Sequence, residues 1–128
     1  MAKPPRRIKV AITAYTAAVN ALLQVAQQPT SGGAIAAQLL LSAYDGSCYH
    51  ANIGAMRTLD SYNFENAVIV FTGRYDTGLE PHQVISNGST IFETLKIQWR
   101  HLHVENRWQG KLLLPNESVQ GKEGNAFD

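Results

Sequence analysis

Residues 64–71 read FENAVIVF (Phe64-Glu65-Asn66-Ala67-Val68-Ile69-Val70-Phe71), and their reading as strand or helix decides between a mixed fold and an all-α one. The VIVF end, residues 68–71, has strong β propensity, and the periodicity of so short an apolar run does not settle the matter alone. Phe64, Val68 and Phe71 stand at i, i+4 and i+7, which is one side of a helix. Asp60 or Ser61 supplies an N-cap just upstream, because a short side-chain oxygen can accept from a free backbone N–H of the first turn. The spacing therefore predicts a helix.

Downstream, Tyr75 to Gly78 reads as a loop. Glu80-Pro81-His82-Gln83 opens a short helix, with proline at the first position, where its missing N–H costs nothing. Asn87-Gly88 is a turn signal. The stretch from Thr90 to Arg107, TIFETLKIQWRHLHVENR, then reads as one long helix. Thr90 and Glu93 have capping-box spacing. At roughly 100° per residue, Ile91, Phe92, Leu95, Trp99 and Leu102 share one arc, which is expected to face the core. Lys96, Arg100, His103 and Arg107 form a basic stripe beside it. Ile97 and Val104, with Trp108 just beyond, make a second apolar arc. One helix cannot bury both apolar arcs in the same small domain, so the second is either covered by the Leu112-Leu113-Leu114 segment folding back or left as an interaction surface.

Upstream, Ile8, Ile12, Tyr15, Val19, Leu22, Leu23 and Ala26 keep helical spacing, and Lys9, Thr13, Thr16, Asn20, Gln24 and Gln27 fill the other side. This predicts an amphipathic helix over 8–27, ending before Pro29, rather than the uniformly apolar core of an export signal. A second helix over 33–44 is apolar nearly all round and should be the most buried. Ser47 to Asn52 is ambiguous between an extended piece and a short strand, and Asn52 can cap a short helix through Ile53, Met56 and Leu59.

The chain has 128 residues, 45% of them hydrophobic, which suits one domain with a single sizeable core. Its formal net charge is +1, so no global field demands nucleic acid, an acidic substrate or a membrane. Cys48 is the single cysteine, which excludes an internal disulfide and fits a reducing compartment. No apolar run approaches the roughly 20 residues that span a bilayer. We expect a basic, flexible tail over 1–7, one helical domain over 8–114 and a disordered polar tail over 115–128.

The chemistry-bearing residues are sparse. His101 and His103 are two apart on a helix, so they point roughly 200° apart and cannot share a metal. Cys48 and His50 could form a nucleophile–base pair if the segment is extended, with Asp45 or Asn52 orienting the base, but nothing near them supplies an oxyanion hole. Glu80 and His82 could act as acid and base, joined by Asp60. Against that, Asp60 serves equally well as a cap, and Glu80 suits a helix start. No phosphate-binding glycine loop and no serine elbow is present. The basic stripe could neutralise phosphates, with Trp108 stacking on a base. Tryptophan and arginine are equally the residues enriched at protein interfaces.

Ala26, the run Leu39-Leu40-Leu41-Ser42-Ala43-Tyr44, Leu59-Asp60, Glu80-x-His82, Gly88 and Trp99 carry a further signal. Over about 21–99 the chain resembles an uncharacterised family of short proteins from bacterial plasmids and integrative elements. The resemblance implies no activity. It implies a cytoplasmic accessory protein of a mobile element, a class that includes inhibitors of host defence such as anti-CRISPR proteins, which work by binding a partner.

These readings converge on an all-α bundle of about five helices, with one short extended segment left open. The expected function is binding of a protein partner through Lys96, Ile97, Arg100, His103, Val104, Arg107 and Trp108. No catalytic residue, cofactor or metal is assigned, and no membrane is expected. Nucleic-acid binding through the basic stripe is the alternative, followed by a small Cys/His or Glu/His enzyme. A homodimer is compatible with any of these.

Overall fold

The computed structural model describes residues 7–107, and the expected tail over 115–128 and Trp108 lie outside them. Among the described residues there are five α-helices and no strand. They are α1 (Ile12–Ala26), α2 (Ser31–Tyr44), α3 (Ser61–Thr77), α4 (Gly88–Gln98) and the short α5 (Val104–Arg107). Single 3₁₀ turns at Gly54–Thr58, Pro81–Val84 and Arg100–Leu102 link them. The all-α expectation holds, and the piece over 47–52 forms turns and irregular backbone rather than a strand.

Helix α1 is the central element, packed most extensively against α3 and α2. Its buried side is Tyr15, Ala18, Val19, Leu22, Leu23 and Ala26. It starts four residues later than its apolar spacing suggests. Ile8 lies outside it and is 92% exposed, and Ala11 takes the N-cap position with extended backbone. Arg7, the last residue of the expected tail, forms an ion pair with Asp76 near the end of α3, and the same carboxylate accepts from the Val10 backbone N–H at 2.8 Å. Helix α2 carries the longest set of buried residues, as its all-round apolar character predicts. Thr30 caps it, its hydroxyl accepting from Gly33 N–H at 2.9 Å.

Asp60 caps α3, with Oδ1 accepting from Asn63 N–H at 2.7 Å, a contact worth about 1 kcal/mol in typical helices. Asn52 caps the 3₁₀ turn that follows it, through Ala55 N–H at 3.1 Å. The buried side of α3 is Asn66, Ala67, Val70 and Gly73. These are small residues for a helix interface, and they let α1 approach closely enough for the Tyr15 ring to lie on Gly73. The i, i+4, i+7 stripe that identifies α3 as a helix is not its buried side. Phe64, Val68 and Phe71 stand on the outer side and are exposed.

The long helix expected over 90–107 is not continuous. Helix α4 begins at Gly88 behind Asn87, whose φ of 55° is left-handed. The Thr90/Glu93 capping box does not form, because Glu93 instead accepts from the Tyr44 hydroxyl at 2.6 Å. A reciprocal capping box occurs at Glu80 and Gln83. The helix ends at Gln98, and tertiary bonds explain the break. Trp99 is 7% exposed and donates its indole N–H to Ala26 O at 2.7 Å, while Gln98 Nε2 donates to Gln27 O at 2.9 Å. These two side chains satisfy carbonyls that α1 leaves free at its C-terminus. Beyond the break, Val104 N–H donates to Cys48 O at 2.9 Å, which pulls the chain toward the 48–49 loop. The expected core arc survives the break: Phe92, Leu95 and Trp99 are buried, and Ile91 and Leu102 are partly buried against the core.

Candidate functional site

The break at Trp99 divides the expected binding surface. Lys96, Ile97 and Arg100 remain together around the end of α4. Lys96 is held by Asp45 at 3.4 Å and Glu93 at 3.7 Å, so its charge is balanced within the fold. Arg100 is exposed and donates to Ile97 O at 3.0 Å, and Ile97 is 67% exposed. His103 turns away from them. Its ring meets Tyr49 edge-on at 5.3 Å, and its Nδ1 accepts from Glu105 N–H at 3.1 Å. Val104 is half-buried and Arg107 closes α5. A continuous basic stripe is therefore absent from the described residues, and what remains is a small edge of Ile97 and Arg100.

The enzymatic candidates fare differently from one another. Cys48 is partly buried, and its thiol is pushed up by desolvation and by the Asp45 carboxylate, the reverse of an activated nucleophile. His50 is exposed. His82 Nδ1 lies 3.5 Å from Glu80 Oε1, and the His82 ring meets Tyr44 edge-on at 4.9 Å. Asp60 does not join them, being occupied at the start of α3. Tyr44, Glu93, Lys96 and Asp45 form a connected polar group. The pKa of the Tyr44 hydroxyl is raised to about 12, first by its hydrogen bond to Glu93 and then by burial, so it stays protonated and donates. This group ties the end of α2 to α4. No cluster of three or more His, Cys, Asp or Glu residues suited to a metal occurs among the described residues.

A further uncovered feature lies on α3, apart from the surface expected from the sequence. Along the outer side of α3, Phe64 is 46% exposed, Val68 43%, Phe71 69% and Tyr75 80%. Beside them, Ile53 is 80% exposed. A groove of about 330 Å³ runs between α2, the Gly54–Thr58 turn and α3, lined chiefly by Leu39, Ala51, Ile53, Met56, Phe64 and Phe71. It continues past Phe71 toward Arg74 and Tyr75. In its lining the Ser42 hydroxyl donates to Leu39 O at 2.8 Å within α2, and Tyr75 stands at the far end. Near the stripe, Arg74 donates to Ala43 O at 3.3 Å, and Arg7, paired with Asp76, also lies over the Tyr75 ring at 5.7 Å from its centroid. A strip of this apolar character can bury against another apolar surface.

A signal for this surface existed in the sequence. Helix α3 carries two apolar sides, Ala67/Val70/Gly73 and Phe64/Val68/Phe71/Tyr75, and a helix in a domain this small can turn only one inward. Which one goes inward depends on residue size at the α1 contact.

A family described as a family of unknown function (DUF7673) matches residues 16–100. That range takes in α1 from its second turn through α4, including the α3 face and its groove. It leaves out His103, Val104, Arg107 and Trp108. No curated protein and no solved structure matches the chain.

Proposed function

The chain belongs to DUF7673, a family of unknown function, and from that premise we propose that it is a small non-enzymatic accessory protein that acts by binding a protein partner. The observation that carries the reading is the outer side of α3, where Phe64, Val68, Phe71 and Tyr75 stand in water with the groove beside them. Exposed apolar strips of this kind are the surfaces by which proteins meet other proteins. A phosphate backbone would gain little from them, and a substrate would find no acid, base or nucleophile there. The Ile97/Arg100 edge at the end of α4 is a second, smaller contact surface on this reading.

The setting we infer is the cytoplasm of a bacterium that carries a plasmid or integrative element, with the protein serving that element, for instance as an inhibitor of host defence. The support for the setting is the sequence resemblance over 21–99. Support for protein over nucleic acid comes from Lys96, whose charge Asp45 and Glu93 balance, and from a formal net charge of only +1. No helix of the described residues is long and apolar enough to cross a membrane.

The test is affinity purification of the tagged full chain with and without nuclease, followed by titration of the purified partner. A stoichiometric partner that survives nuclease is expected, with affinity lowered at least tenfold by Phe71→Glu or by Ile97→Glu. Partners that vanish with nuclease, or whose binding falls steeply with salt, move the reading to nucleic acid.

A further inference from the structure

We propose that the outer side of α3 closes on a second copy of this chain, α3 against α3 in antiparallel, to form a two-fold symmetric dimer. The inference rests on the reading of this side as a protein-binding surface, and it names the protein that the surface takes.

Three observations select a second copy. The first is the order of the stripe. Phe64 and Val68 are four apart, Val68 and Phe71 three, Phe71 and Tyr75 four, so the spacing reads the same from either end. A two-fold interface must be self-complementary, because each residue meets the residue whose image meets it. Laid antiparallel about the midpoint between Ile69 and Val70, Phe64 stands opposite the partner's Tyr75, and Val68 opposite the partner's Phe71. Ring meets ring at the two ends, and aliphatic meets ring on both sides of the axis. A 4-3-4 spacing is also the one that lets two helices pack at the shallow angle typical of helix bundles.

The second is charge. Within Ser61–Thr77 the charged residues are Glu65, Arg74 and Asp76, and none lies in the stripe. Glu65 and Arg74 flank it on opposite sides. The two-fold axis returns Glu65 to its own side, displaced by nine residues of helix rise, so the two carboxylates stand roughly 13 Å apart along the helix. That exceeds the screening length of about 8 Å at physiological salt, so no like charges oppose each other.

The third is area. Taking roughly 200 Å² for a whole aromatic side chain and the fractional exposures of Ile53, Phe64, Val68, Phe71 and Tyr75, the strip offers on the order of 600 Å² per copy. A pair would bury about 1,200 Å², the lower end of specific interfaces. That sum is a ceiling, reached only if Ile53 outside α3 is covered as well, and it places the dimer among weak interfaces, for which micromolar concentrations are the range to test. The Ile97/Arg100 edge is left free for another protein.

Sedimentation velocity or light scattering on the full chain tests this directly. Between about 1 and 100 µM the wild-type mass should rise from 14.1 kDa toward twice that value. Phe71→Glu should remain at one chain, and Ile97→Glu should behave as wild type. The register has its own test. Val68→Glu and Phe71→Lys should each remain single alone. An equimolar mixture of the two should recover the mass of two chains, because the introduced carboxylate of one variant then meets the introduced ammonium of the other across the axis. All three positions are exposed, and far-UV circular dichroism verifies that each variant keeps its helices. A wild-type chain that stays single at 100 µM overturns the proposal, whether the strip is then covered by the chain's own 108–115 segment or by another protein. A dimer that survives Phe71→Glu but not Ile97→Glu overturns it too, as does a mixture that fails to pair. The two readings fail separately. A single-chain wild type that captures a partner through Phe71 sinks the dimer alone, and a dimer that captures no partner sinks the accessory-binder reading alone.

Discussion

Replacing Gly73 by alanine sets two effects of opposite sign against each other, and the structure decides between them. In a helix interior the change ordinarily stabilises by about 1 kcal/mol, since glycine gives up the most backbone freedom on folding. At Gly73 the added Cβ would stand 2.6 Å from Tyr15 Cδ1 and 2.7 Å from Cγ. These atoms are at the root of the ring, not at a flexible tip. Tyr15 is fully buried, and its hydroxyl donates to Leu79 O at 2.9 Å, so the ring cannot retreat without stretching that bond. Over-packing of this kind costs about 1–3 kcal/mol, and loss of the hydroxyl bond about 1 kcal/mol more. The loss outweighs the gain, and Gly73→Ala should destabilise by roughly 1–3 kcal/mol, with Tm falling by about 4–8 °C for each kcal/mol lost. Gly32→Ala in the first turn of α2 is the control, since a Cβ there meets nothing closer than Thr30 Oγ1 at 4.0 Å. Urea and thermal unfolding of both variants read the outcome. A Gly73→Ala chain as stable as wild type, or more so, would refute the close α1–α3 contact on which the orientation of α3 depends.

Two phenylalanines should behave oppositely under the same change: Phe92→Ala, at a fully buried position, should cost about 3–5 kcal/mol, and Phe71→Ala, at a position 69% exposed, less than about 0.5 kcal/mol, as read by urea unfolding at low micromolar protein. Trp99→Phe keeps most of the apolar bulk but leaves Ala26 O without its indole donor, and chemical unfolding should show a loss of about 1–3 kcal/mol. The pKa of the Asp76 carboxyl is held down to about 2, first by its hydrogen bond to Arg7 and then by the Val10 N–H. A carboxylate lowered on folding adds stability that is fully present above its ordinary value of 3.8 and is lost as pH falls toward about 2. Acid unfolding across that window should therefore be steeper in wild type than in Asp76→Asn; matching slopes would mean that the Arg7–Asp76 pair contributes nothing.

The all-α architecture was legible in the sequence because period and caps agreed. Tyr15, Val19, Leu22, Leu23 and Ala26 give the buried side of α1 directly, and Asp60 and Asn52 cap as their positions suggest. The helical state of residues 64–71 was legible as well, but its orientation was not. Periodicity reports that apolar residues share a side, not that the side faces inward. In α3 the inward side is chosen by Gly73 and Ala67, because only small residues let α1 come near enough to bury Tyr15. That is a property of the pair of helices, not of either sequence segment. The break at Trp99 was hidden for a related reason. Locally, TIFETLKIQWRHLHVENR is good helix sequence throughout, and what ends the helix is the pull of Ala26 O on the Trp99 indole and of Cys48 O on Val104 N–H. Distant carbonyls leave no mark on local spacing. The candidate site shared that fate, since a basic stripe laid out on an unbroken helix loses its alignment once the chain turns.

The two discrepancies have a common consequence for function. The side chains most easily imagined as a working surface, Lys96 and His103, are engaged inside the fold, Lys96 by Asp45 and Glu93 and His103 by Tyr49. The side chains most easily imagined as core, Phe64 and Phe71, are in water. Exposing them carries a cost, since full burial of such a side chain contributes roughly 1.5–3 kcal/mol and Phe64 and Phe71, 46% and 69% exposed, forgo about half or more of it. A fold that needed only stability could place polar residues there without disturbing the α1 contact, because that contact is made from the opposite side of α3. The α1 contact thus does not require the apolar stripe, which agrees with the binding surface proposed above. The proposed surface on α3 lies within residues 16–100, the span that the family matches.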